Sequence, residues 1–153
     1  MIYQPNAAPG DPAIAVVEKD SAMRSQKLDC AAAPIAPSLA ELHSEVLGFE
    51  ALSFRFGDLP PSLKGGEVAK FGAESQLTFG IVHGETGQDL RIKRLPGTPG
   101  TTVVTTPGDS GALWIDTLTN IPVGLNRGWM PQRNCAAATR MEAVLQALGL
   151  RFY

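Results

Sequence analysis

Residues 101–116 read TTVVTTPGDSGALWID, and the fold turns on how that stretch is parsed. A β-branched run, TTVVTT, and a second apolar run, ALWID, flank PGDSG, so the pattern predicts two strands joined by a glycine-rich turn. Ser110 stands near the apex of that turn, inside Gly108-Asp109-Ser110-Gly111. A serine hydroxyl is a poor nucleophile at neutral pH, and to act it needs a neighbouring base and N–H groups aimed at the oxyanion that forms. Glycines on either side suit the second need, because a chain without Cβ atoms can turn its amides inward. An ordinary hairpin turn would carry the same residues, so the surroundings must decide.

Downstream of Lys64-Gly65-Gly66 the chain alternates short β-rich runs with turns. EVAKFG, QLTFGIVHG, DLRIKRL, TTVVTT, ALWID and IPVGLNRG are separated by ETG, PGTPG, PGDSG and DTLTN. Six short strands in so little sequence predict a small antiparallel barrel or sandwich. ATRMEAVLQALGL then places Met141, Val144, Leu145 and Leu148 at helical spacing before Gly149, which predicts a C-terminal amphipathic helix. Upstream, AIAVVE suits one buried strand. Residues 19–65 read as a connector with Pro34, Pro37, Pro60 and Pro61, and with a short helix over SLAELHSEVL capped by Ser38.

The 153 residues fit one domain and are short for two full barrels. With 44% hydrophobic and 18% charged residues, the composition is that of a packed globular chain. A net charge of -2 without a basic run gives no footprint for nucleic acid or an anionic membrane. No apolar stretch is long enough to span a bilayer, and the N-terminus lacks the pattern of a signal peptide, so the compartment stays open. Cys30 and Cys135 lack C-x-x-C spacing, and two thiols are expected ahead of a bridge. No cofactor and no metal is called for.

Three blocks, in order, resemble the C-terminal part of trypsin-like, chymotrypsin-fold serine peptidases of family S1, most closely their bacterial and fungal branch. VAKFGAESQLTFGIVHG resembles the strand pair written as a lysine, a glycine, a polar turn and threonine-x-glycine-x-valine. PGDSGALWIDTLTNIPVGLNRG resembles the nucleophile turn and the hairpin that flanks the substrate, and ATRMEAVLQALGL resembles the closing helix. The resemblance implies Ser110 as nucleophile, with the backbone N–H groups of Gly108 and Ser110 as the oxyanion hole. Asp109 is then a buried carboxylate that needs a cationic or amide partner. Asn126, Arg127 and Gly128 would line the specificity pocket and pair with the substrate backbone. Val104, six residues before Ser110, would give that pocket an apolar floor and an uncharged preference, although a plain core valine fits the same strand.

Near the start, DPAIAVV resembles the strand that carries the family's catalytic aspartate, which would make Asp11 the orienting acid. Taken alone, Asp11-Pro12 is a common way to begin a turn.

The histidine is the difficulty. The chain holds just His43 and His83, both before Ser110. That order excludes the α/β-hydrolase arrangement, and no G-x-S-x-G elbow is present. The order Asp11, His43, Ser110 matches subtilisin, but the βα alternation of that fold is missing. His43 lacks the alanine-alanine-histidine-cysteine setting of the resembled family, and His83 falls on a strand the family uses structurally. Both are expected to be structural.

The expectation is therefore a mostly β fold, a chymotrypsin-like antiparallel barrel with a C-terminal α-helix and the first barrel largely missing. Residues 1–18 would be the strand of the catalytic aspartate, 19–65 the connector, and 66–153 the barrel and closing helix. The implied function is a serine endopeptidase acting on peptide or protein substrates through an acyl-enzyme on Ser110, with its general base absent from the chain. A truncated remnant or pseudoprotease that acts as a binding module is the alternative. A separate N-terminal barrel or self-association is expected to cover an apolar face near residues 13–17. Members of the resembled family are often secreted.

Overall fold

The computed structural model of the chain describes residues 19–20, 30–32, 59, 61–97 and 104–150. Asp11, the run at residues 13–17, His43 and the helix expected over residues 38–47 lie outside them.

Two short strands, β1 (Lys19–Asp20) and β2 (Ala31–Ala32), pair antiparallel with each other. The remaining strands are β3 (Glu67–Gly72), β4 (Gln76–Thr86), β5 (Asp89–Arg94), β6 (Leu113–Asp116), β7 (Pro122–Met130) and β8 (Cys135–Arg140). They close into an antiparallel barrel in the order β3-β4-β5-β8-β7-β6, and α1 (Met141–Leu148) follows directly on β8.

Period-2 patterning fills the barrel. Leu90 and Ile92 of β5 point inward while Asp89, Arg91 and Lys93 alternate with them, and Val82, Trp114, Val123 and Ala136 complete the same core. The helix buries a second cluster, Met141, Ala143, Val144 and Leu148, against Leu113 and Leu125 on the outside of β6 and β7. Cys30 joins this second cluster, and Cys135 is a buried free thiol at the start of β8.

Two local readings differ from the sequence expectation. Of TTVVTT, the described residues 104–106 are not in the sheet. Thr78 Oγ1 donates to Val104 O, and Thr106 N donates to the Asp109 carboxylate, so the backbone of this β-branched run serves the turn after it. The sixth strand is instead β8, CAAATR, whose last three residues, 138–140, open the segment ATRMEAVLQALGL expected as helix. Its first five residues are all buried, so no alternation marks it, and alanine is a weak strand former. The helix itself ends as its sequence predicts, with Gly149 as the left-handed C-cap.

Candidate active site

The glycine-rich turn leads into β6 and is held against β7. Gly111 N donates to Asn126 O at 2.8 Å and Asn126 N donates to Ala112 O at 2.8 Å, which extends the β6–β7 ladder up to the turn. Within the turn, Asp109 N donates to Thr106 O and Ala112 N donates to Asp109 O. Gly108 adopts φ +102, a conformation that side-chain-bearing residues rarely adopt, and a Cβ there would meet Glu74 Cγ at 2.5 Å. The N–H groups of Gly108 and Ser110 donate to no acceptor among the described residues. Two unspent donors beside an exposed serine are what an oxyanion site requires.

Beneath the exposed Ser110, its neighbour Asp109 is 1% exposed. Its Oδ1 accepts from Glu74 N and Ser75 N, each at 3.0 Å. Its Oδ2 accepts from Thr106 N at 2.9 Å, from Thr105 Oγ1 at 3.3 Å and from Lys70 Nζ at 3.0 Å. Lys70, on β3, is itself wholly buried, donates to Ser75 Oγ at 2.6 Å and lies 5.5 Å from the centre of the Trp114 ring. Burial pushes the Asp109 carboxyl up, but the hydrogen bonds from Ser75, Thr106 and Lys70 outweigh it and hold the group well below the usual carboxylate range. Burial pushes the Lys70 ammonium down, and Asp109 offsets part of that. At 3.0 Å the two form a buried ion pair, with the remaining valences filled by amides and hydroxyls.

Asn126 is a strut rather than a surface group. It is 2% exposed, its Nδ2 donates to Thr105 Oγ1 at 2.8 Å and to Asp109 O at 3.0 Å, and its Oδ1 accepts from Trp114 Nε1 at 3.2 Å. The next residue, Arg127, is the extra residue of a β7 bulge, since Asn126 pairs with Ala138 and Gly128 with Ala137. Gly128 closes the bulge at φ +140, a backbone state that favours glycine. Arg127 pairs with Asp89 at 2.8 Å on the surface, and its carbonyl accepts the Ser110 hydroxyl at 3.3 Å. Val104 is buried in the main core, 3% exposed.

No imidazole meets Ser110 among the described residues. His83 is exposed on β4, and the hydroxyl proton of Ser110 goes to the Arg127 carbonyl. Nor does any cluster of His, Cys, Asp and Glu among the described residues have the makings of a metal site. The described geometry thus brings together Ser110, Gly108, Asp109, Asn126 and Arg127. Thr105, Ser75 and Trp114, which complete the support, carry no motif signal in the sequence. Lys70 stood in a quoted motif without a role.

No family model matches the chain, and no curated protein matches its sequence. Among solved structures it is similar to the crystal structure of Cellulomonas bogoriensis chymotrypsin. The TM-score is 0.55 at 18% identity, with 80% of this chain and 68% of that one covered. The barrel and its closing helix thus have the fold of a bacterial chymotrypsin-type protease.

Proposed function

We propose that the chain is a trypsin-like serine peptidase barrel in which Ser110 forms the acyl-enzyme. The observation that carries this reading is the buried Asp109 carboxylate, whose Lys70 partner and backbone donors set the turn so that Ser110 is exposed and the N–H groups of Gly108 and Ser110 have no acceptor among the described residues. In the proposed reaction Ser110 Oγ attacks the scissile carbonyl carbon while an imidazole takes its proton. The oxyanion is held by the two N–H groups, and collapse expels the amine, which takes that proton. Water then hydrolyses the ester. The Arg127–Gly128 edge of β7 lies beside Ser110 and suits an added substrate strand. The base must come from outside the described residues, from His43 or from another segment or chain, with Asp11 as its orienting acid.

One observation favours a second reading, a peptidase-like chain without activity. The Ser110 hydroxyl already donates to the Arg127 carbonyl, and no imidazole is near it among the described residues. Without a base, a triad keeps just the residual rate of its oxyanion hole and binding groups.

Labelling with a fluorophosphonate separates the two readings, comparing the native chain with Ser110→Ala and His43→Ala. Labelling lost in both variants means a working site assembled within the chain. Labelling lost in Ser110→Ala alone means a base other than His43, and no labelling of folded protein favours the inactive reading.

A further inference from the structure

On β4 the register slips between Val82, which pairs with Ile92, and Gly84, which pairs with Arg91, leaving His83 as a bulged residue. The slip sets two β4 residues opposite Arg91, and the guanidinium lies against the one without a side chain. A Cβ at Gly84 would meet Arg91 Nη2 at 2.9 Å and Nε at 3.1 Å. Around this point a cavity of about 570 Å³ opens, walled by Pro61, Ser62 and Lys64, by β4 and β5, by Arg133 in the turn before β8 and by Cys135 at the start of β8.

Its charge is one-sided. Lys64, Arg91, Lys93 and Arg133 line it with His83, in a chain whose net charge is -2. The one acid among the described lining residues, Glu85, is already committed, since it accepts from Arg140, from Leu63 N and from the Ser62 hydroxyl. None of the four lining cations has an ion-pair partner among the described residues. Arg91 spends Nη2 on Thr86 Oγ1, yet its Nε is buried without an acceptor.

We infer that this cavity, on a surface distinct from the Ser110 turn, binds a small organic ester of phosphate or sulfate. A guanidinium presents forked donors that match a tetrahedral oxyanion, and the lysines add point charges around it. The volume lies within the usual span for small-molecule sites and exceeds what a bare ion would fill, so the ester carries an organic part.

The test is titration calorimetry at constant ionic strength, with glycerol 3-phosphate, inorganic phosphate, inorganic sulfate and acetate as probes. The expected result is saturable binding of the tetrahedral oxyanions and none of acetate. Tighter binding of phosphate than of sulfate names a phosphate ester, and the reverse names a sulfate ester. Arg91→Gln abolishes the binding. Lys64→Gln/Arg133→Gln, changed at two exposed positions that leave the barrel intact, weakens it by about tenfold or more. Absence of saturable binding, equal binding of acetate, or binding unchanged in the Lys64→Gln/Arg133→Gln variant overturns the inference. Since the readout is binding, it stands or falls apart from the activity of Ser110.

Discussion

The Lys70 ammonium of β3 lies 3.0 Å from the Asp109 carboxylate under the Ser110 turn, and neither side chain is exposed to solvent. Thirty-nine positions separate the two in sequence. Closure of the barrel is what brings them together.

Removing one partner leaves the other charge buried alone, so Lys70→Met and Asp109→Asn should each cost about 3–5 kcal/mol in urea unfolding. The double variant should cost less than the sum of the two, by up to about 3 kcal/mol, because the second change removes a charge already orphaned. Strictly additive costs would show that the two side chains do not act as a pair.

Gly72 sits where the pair leaves no room. A Cβ at that position would lie 2.2 Å from Asp109 Oδ1 and 2.8 Å from Lys70 Nζ. In open space, alanine for glycine would stabilise by about 0.4–1 kcal/mol through the unfolded chain. Gly72→Ala is instead expected to destabilise by about 1–3 kcal/mol or more, as overpacking does. A raised unfolding midpoint would mean the site is looser than described.

The acid limb of stability should carry the mark of Asp109. Its folded pKa lies below that of the unfolded chain, near ~3.9, so between the two values the unfolded state binds more protons. The stabilisation is fully present above the unfolded value and is lost as pH falls toward the folded one. Urea midpoints of the native chain should therefore fall more steeply below about pH 4 than those of Asp109→Asn. Parallel acid limbs in the two proteins would contradict the assignment.

How much of this could be read beforehand differed by element. β3 was legible at both ends, behind the turn at Gly65-Gly66, and β5 to within one residue, because Leu90 and Ile92 alternate with polar neighbours. β8 was not, since an alanine run buried along its length carries no period. TTVVTT misled for the opposite reason, as β-branched residues promised a strand whose described backbone serves Asp109. At the candidate site, Ser110 and the need of Asp109 for a partner followed from the tetrapeptide and the resemblance it anchors. The identity of that partner did not, because thirteen Lys and Arg residues compete for the role in one dimension. Asn126 was read, with Arg127 and Gly128, as lining the specificity pocket, and its three internal hydrogen bonds, to Trp114 of β6 and to Thr105 and Asp109 in the segment before it, were invisible to spacing.

The barrel is closed where β3 meets β6, and that seam rests on Val68↔Asp116 and Ala69↔Ile115. Lys70 follows Ala69 directly within β3, so the buried ion pair is anchored one residue past the seam. While the seam holds, neither strand offers unpaired backbone to another molecule, and such unpaired edges are how β-proteins recruit copies of themselves. A chain that loses the grip of Lys70 on Asp109 would thus first unzip along this line and expose two free edges. Self-assembly into β-aggregates would then precede global unfolding.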